Sequence, residues 1–200
     1  MRFTFGIVTV GSPRVPPIIK SIKDNVLHPE IIVVGGEAIG GVRHIPFNET
    51  TKPAWITRKK NIITMAATNE HIVYLHDYVA VTPGWYEGFL KFGDDFDVCM
   101  NVITNQDGTR YRDWVTWDLP DIGMKLVDYS YTETQFHYIS GAYWVAKKSF
   151  MLANPLDERR SWGQGEDVEW SKRIRDHWNY VMNPYSEVKM LKYKDSVAHA

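Results

Sequence analysis

The strongest constraint on this chain is an alternation within its first 80 residues, in which short β-rich runs, Gly- or Pro-containing loops and helically patterned segments follow one another. Phe3 to Val10 is the first run, closed by Gly11-Ser12. Pro13, Pro16 and Pro17 follow where a helix can begin, and Ile18, Ile19, Ile22 and Val26 recur at helical spacing. Glu30 to Val34 is a short apolar run ended by Gly35-Gly36-Glu37, the pattern of a strand buried on both faces of a parallel sheet. Ala54 to Asn69 reads as a helix, with Ile56, Ile63, Ala66 and Ala67 on one stripe and Arg58, Lys59 and Lys60 off it, and it leads into the strand His71 to His76. Such units predict an α/β fold, an open and mostly parallel sheet with helices on both faces. Sheets of this kind bind ligands beyond the carboxyl ends of their strands, so the loops after Val10, Val34 and Leu75 are expected to converge on a site.

Beyond Pro83, Gly84 to Phe92 looks helical, Asp97 to Thr104 looks like a strand, and Asn105-Gln106-Asp107-Gly108 is a turn. Arg110 to His137 has no clean period and reads as loops or a hairpin over a site. A chain of 200 residues with 44% hydrophobic content fits one domain. Its 23 basic and 24 acidic side chains are spread evenly, with no run able to track a phosphate backbone, which argues against nucleic acid as partner. Cys99 stands alone, so neither a disulfide framework nor a cysteine metal site can be built; a buried free thiol, compatible with a cytoplasmic protein, is the expectation. Ile31 to Gly36 and Ile72 to Leu75 fall far short of the ~20 apolar residues of a transmembrane segment, and no signal-peptide pattern opens the chain. Trp114, Trp117 and Trp162 lie in polar, loop-like segments, where flat aromatic faces suit a sugar ring and equally suit a protein interface.

Two acidic motifs stand out. Leu75-His76-Asp77-Tyr78-Val79 sets a carboxylate at the end of a buried strand, where it can meet a divalent cation and a diphosphate, or cap the turn into the next helix. Trp162-Gly163-Gln164-Gly165-Glu166-Asp167 delivers two carboxylates from a glycine-flanked loop to the start of a helix whose Trp170, Ile174 and Trp178 repeat every four residues. Acidic groups there are favoured by the helix dipole, and a carboxylate there can also act as a base. Ser140-Gly141-Ala142 is a small-residue step into an apolar strand, either a bulge or room for a ring against the backbone.

Thr57-Arg58-Lys59-Lys60-Asn61, Ala66-Ala67, the Asp77 strand and Pro83-Gly84-Trp85 together resemble the family-2-like GT-A glycosyltransferases, and the order of parts matches over nearly the whole chain. The resemblance implies a single GT-A domain over residues 1–200, with 1–104 the nucleotide-sugar-binding half and 105–200 the acceptor and catalytic half. It implies transfer of a hexose from a nucleotide-diphosphate sugar, a UDP-sugar by default, to the hydroxyl of a glycan or other acceptor, with inversion as the preferred course and retention as the alternative that the same fold supports. Asp167, with Glu166 beside it, would be the catalytic base. Asp77, with His199 near the chain end, would hold Mn²⁺ or Mg²⁺. The family's third acidic position is Tyr78 here and its first is His76, which leaves Asp77 alone or with His76 to hold the cation, or leaves metal binding weak. Thr9, Val10, Gly11, Ser12 and Glu37 would meet the nucleotide, Arg58, Lys60 and Asn61 the diphosphate region, and Gly141 and Ala142 the donor sugar. Trp114, Trp117, Tyr131 and Trp162 would form the acceptor platform. A sugar-nucleotide nucleotidylyltransferase, for which Gly11-Ser12-Pro13-Arg14 is a poor signature, and a non-catalytic binding module are the alternatives.

Overall fold

The computed structural model describes residues 1–113, 115–116 and 125–194, with the backbone alone at 115, 116 and 125. The strands are β1 (Phe3–Val8), β2 (Glu30–Val34), β3 (Arg43–Ile45), β4 (His71–His76), β5 (Val79–Val81), β6 (Val98–Thr104), β7 (Val115–Thr116), β8 (Lys125–Leu126), β9 (Tyr143–Lys147) and β10 (Tyr180–Met190). The helices are α1 (Val15–Asn25), α2 (Ile56–Ala66), α3 (Trp85–Phe92), α4 (Lys148–Ala153) and α5 (Glu166–Ile174). Eight strands form one sheet in the order β3-β2-β1-β4-β9-β6-β10-β5, and β7 pairs antiparallel with β8 in a separate two-stranded sheet. The β3-β2-β1-β4 half is all parallel, as is β6 with β10. β9 enters between β4 and β6 antiparallel to both, and β5 closes the far edge antiparallel to β10.

Helices cover both faces, and β1 shows why. Phe3 and Phe5 point to one face, with ring centroids 4.9 and 5.2 Å from Trp85 of α3. Gly6 points to the other, where a Cβ would sit 2.2 Å from Ile63 Cγ2, so α2 lies directly on the backbone of β1. Pro16 and Pro17 open α1 at no cost, since first-turn N–H groups have no intrahelical partner, and Val15, Ile18, Ile19 and Ile22 fill its buried stripe. No helix among the described residues is long and apolar enough to cross a membrane, and Cys99 is a buried free thiol.

The structure departs from the sequence pattern in three places. The first strand stops at Val8, because the Thr9 hydroxyl turns onto Asp77 and Val10 is exposed. The basic side of α2 is not a solvated face: Lys59 and Lys60 are each 1% exposed, since that helix is covered on its sides away from Ile63 as well. The strands β3, β5 and β10 and the short helix α4 are additions to the sequence reading. β10 is the longest strand of all, and Asn183-Pro184 hides it by introducing a bulge between Asn183 and Glu187.

Candidate active site

Parallel pairing fixes where the site forms. Val8 of β1 pairs with Val34 of β2 on one side and His76 of β4 on the other, so Thr9, Gly35 and Asp77 leave the sheet side by side at its carboxyl edge. The buried Thr9 hydroxyl donates to Asp77 Oδ2 at 2.7 Å and accepts from the backbone N–H groups of Gly11 (3.0 Å) and Ser12 (3.1 Å). One side chain thereby holds both the β1 loop and the β4 carboxylate. Lys59 Nζ donates to the Thr9 carbonyl at 2.6 Å and pairs with Glu49. Gly36, at φ 64°, packs so closely on Gly11 that a Cβ would lie 3.0 Å from the Gly11 nitrogen, which joins the loops after β1 and β2.

The second acidic element reaches the same edge through β9. The His76 N–H donates to the Ala142 carbonyl at 2.9 Å, setting Gly141 beside the end of β4. Gly165, at φ 65°, starts α5 and turns Glu166 and Asp167 onto Gly141. Asp167 Oδ2 accepts from the Gly141 N–H at 3.0 Å. From below, the buried Lys60 Nζ donates to the Gly141 carbonyl at 2.7 Å and lies 4.5 Å over the Trp144 ring. Burial pulls the Lys60 ammonium down to about 8, against the opposing pull of Glu166 and Asp167. Burial also raises the Glu166 carboxyl, which Lys60 counteracts and Asp167 reinforces.

These parts enclose a polar cavity of about 260 Å³ lined by His76, Tyr78, Tyr111, Gly141, Glu166 and Asp167, among others. The Tyr78 phenol is pushed up, first by burial, then by Tyr111, and then by Asp77, Glu166 and Asp167 together, so both acidic elements act on one hydroxyl. His76 is buried, and its Nε2 has no hydrogen-bond partner among the described residues. Burial holds its imidazole well below the usual range, assisted by Lys60, Lys192 and Lys59 and opposed by a backbone interaction with Gly141.

Of the residues singled out in the sequence, Glu166, Asp167, His76, Tyr78, Gly141, Ala142 and Trp162 meet around this cavity, and Thr9 and Asp77 adjoin it through His76 and Tyr78. Val10 and Glu37 are exposed at the ends of β1 and β2. Arg58 is turned away onto Glu158 at 3.0 Å. Asn61 braces a loop, exchanging hydrogen bonds with the Leu156 backbone at 2.9 and 3.1 Å. Tyr131 stacks on His137 and lines a separate cavity of about 760 Å³. Trp114, Trp117 and His199 lie outside the described residues. Sequence reading passed over Tyr111, Arg112, Asp113 and Lys194, which also line the acidic cavity. The signal for Lys194 was the alternation of Val188 and Met190 with Glu187 and Lys189, which marks the strand that delivers it.

A curled open α/β sheet with an aspartate after β4 and an acidic turn facing it across the carboxyl edge is the GT-A fold, the fold of a class of glycosyltransferases. The crystal structure of GalNAc-T7 with UDP, GalNAc and Mn²⁺ superposes at a TM-score of 0.72 and 14% identity, over 98% of this chain and 45% of that one. S. aureus TarS 1–349 in complex with UDP gives 0.68 at 10% identity, over 95% of this chain and 61% of that one. The UDP-GlcNAc complex of the same TarS piece gives 0.68 at 11% identity, over 100% and 62%. The chain thus spans between 45% and 62% of the length of these structures. No protein-family model and no curated protein sequence matches it.

Proposed function

We propose that this chain is a glycosyltransferase that moves a hexose from a UDP-sugar to an acceptor hydroxyl with inversion. The observation that carries the reading is the convergence of Asp77, anchored by Thr9, and of Asp167, anchored by Gly141, on Tyr78, with Asp167 lining the cavity and Asp77 adjoining it. Its volume of about 260 Å³ suits a single sugar ring, and its lining is polar. Structures of the same fold hold UDP, UDP-GlcNAc and GalNAc, which supports a nucleotide-sugar as donor.

In the proposed reaction the nucleotide lies over the Thr9–Ser12 and Glu37 loops, its diphosphate passes Asp77, and the hexose enters the cavity beside Gly141 and Ala142. The acceptor oxygen attacks C1 from the side opposite the diphosphate. Asp167 takes the proton of that hydroxyl as the new C–O bond forms, a contribution of roughly 10²- to 10⁴-fold. The bond from C1 to the diphosphate oxygen breaks, and UDP leaves with the bonding pair. Trp162, 59% exposed at the cavity rim, is the acceptor platform in this reading.

The GalNAc-T7 structure holds Mn²⁺. A divalent cation, when bound, would offset charge on the departing diphosphate. The donor set for one is thin: Asp77 Oδ2 accepts from Thr9, the third position is the Tyr78 phenol, and no three His, Cys, Asp or Glu side chains gather around a metal among the described residues. A hard cation at a diphosphate completes its oxygens with phosphate and water, so this protein set would hold one only together with the donor.

The test is UDP release from UDP-sugars, into water and onto simple glycans, by wild type and Asp167→Asn. Wild-type turnover that collapses in the variant, with UDP affinity kept, supports the reading. Turnover that survives the substitution removes Asp167 as the base, and tight binding without release favours a non-catalytic module.

A further inference from the structure

We infer that Lys192 and Lys194 form a clamp for the donor diphosphate, standing where the resemblance calls for a divalent cation; the inference rests on the donor reading proposed above. The clamp is a built element and not a loose tail. Past the end of β10 the Leu191 N–H donates to the Tyr78 carbonyl at 2.7 Å. Three residues on, the Lys194 N–H donates to Asn105 Oδ1 at 3.0 Å, and Asn105 Nδ2 donates back to the Lys194 carbonyl at 3.1 Å. Asn105 is fully buried at the turn after β6. The stretch Leu191–Lys194 is therefore pinned at one end to the residue that follows Asp77 and at the other to the sheet.

Its two ammonium groups lie against two aromatic rings of the cavity wall. Lys192 Nζ is 5.0 Å from the centroid of the Tyr78 ring, and Lys194 Nζ is 5.6 Å from that of Tyr111. Both phenols line the cavity, and so does Lys194. Neither lysine makes an ion pair among the described residues, and both side chains are exposed. Beneath them His76, 6% exposed, lines the same cavity, and its buried Nε2 has no hydrogen-bond partner among the described residues.

The charge pattern decides between two occupants of this place. Two ammoniums within a few ångströms of the Tyr78 and Tyr111 rings attract a diphosphate and offset the Glu166 and Asp167 carboxylates of the same cavity, the charge that a divalent cation would otherwise offset. Lysine is a compact point charge that binds phosphate without demanding one geometry, and a flexible pair can follow a leaving diphosphate as its charge grows. A diphosphate running from Asp77 towards Asp167 has to pass Tyr78, which is where Lys192 waits.

The experiment is calorimetric titration of the full chain with UDP and with uridine, each in excess EDTA and in Mn²⁺, for wild type, Lys192→Ala/Lys194→Ala and Lys192→Arg/Lys194→Arg. The expected result is UDP binding that persists in EDTA, weakens by roughly 10- to 100-fold in the alanine pair and largely returns in the arginine pair, while uridine binding stays the same in all three. UDP affinity lost to EDTA in wild type, or unchanged in the alanine pair, overturns the clamp. Failure of wild type to bind either UDP or uridine under any condition overturns the donor reading itself, a different outcome from failure of the clamp. Both side chains are exposed, so the thermal unfolding of the variants is expected to match wild type.

Discussion

The Gly141 N–H donates to Asp167 Oδ2 at 3.0 Å, and a Cβ placed on Gly141 would lie 2.7 Å from that same oxygen. The carboxylate proposed as base is thus held against a backbone that has no side chain. Gly141 also receives Lys60 Nζ on its carbonyl, so its position is fixed from both sides. In Gly141→Ala the new methyl meets the end of a side chain and not backbone, and the fold can yield by turning Asp167 aside. The expected outcome is a loss of stability below about 1 kcal/mol with turnover reduced roughly 100-fold, as for a misplaced catalytic group. Thermal unfolding and UDP-release assays on one preparation check both halves; full turnover would show that the Asp167 position is not critical.

Thr9 couples the two loops of the nucleotide side. Its hydroxyl donates once to Asp77 and accepts twice from Gly11 and Ser12, and the side chain is 5% exposed. Thr9→Val keeps the shape and removes all three contacts, leaving two backbone donors without an acceptor. A cost of about 1 to 3 kcal/mol is expected, together with UDP affinity weakened roughly tenfold and kcat changed less than KM. Equal losses in kcat and kcat/KM would place Thr9 in the chemistry instead of in donor binding.

The fold has its own pressure point at Gly6. A Cβ there would sit 2.2 Å from Ile63 Cγ2, inside the contact between β1 and α2. Gly6→Ala is expected to cost about 1 to 3 kcal/mol by overpacking and to push α2, with Lys59 and Lys60, away from the site. Ile63→Ala removes both Cγ2 and Cδ1, the atoms that collide, and should therefore cost less in the Gly6→Ala chain than in wild type. A double-mutant cycle in denaturant measures the coupling, and strict additivity would show that the two residues do not meet as described.

Much of this arrangement was legible in the sequence, and what was hidden has physical reasons. The strands Glu30–Val34 and His71–His76 were bounded correctly because a strand buried on both faces writes an uninterrupted apolar run. Asp77 and the Gly165-Glu166-Asp167 turn could be picked out as an acid at a strand end and as acids opening a helix behind glycine. Period-two and period-3.6 patterns do not reveal a lysine that is buried among polar partners, so the sequence assigns Lys60 to the diphosphate region and gives no sign of its Gly141, Trp144 and acidic neighbours. The run Tyr180–Met190 was masked by Pro184, which the strand tolerates because it bulges there. With that strand went the antiparallel placement of β5 and the route by which Lys192 and Lys194 return to Tyr78.

The buried Lys60 gives the last prediction, and its sign follows from linkage. In the unfolded chain this amine has the ordinary value of 10.5, and in the fold burial draws it down to about 8. Between those two pH values the unfolded chain binds a proton that the folded chain has released, so this group makes stability rise with pH across that window. Below about pH 8 both states carry the charge, and the folded state bears the full cost of keeping it buried, offset by the Gly141 carbonyl, the Trp144 face and the two carboxylates. The difference across the window is at most on the order of 3 kcal/mol. In Lys60→Met the rise attributable to this residue vanishes. Urea unfolding at pH 7.5, 9 and 10.5 should therefore show wild type gaining on the variant as pH climbs, by up to about 3 kcal/mol. Catalysis should move the other way: loss of the Lys60 charge above about pH 8 removes the cation that counteracts the raised carboxyl of Glu166 and steadies Asp167 on Gly141, so wild-type turnover declines there while the variant stays low and flat. Stability curves that run parallel for the two proteins would mean that the amine reaches solvent and does not underlie the acid pair.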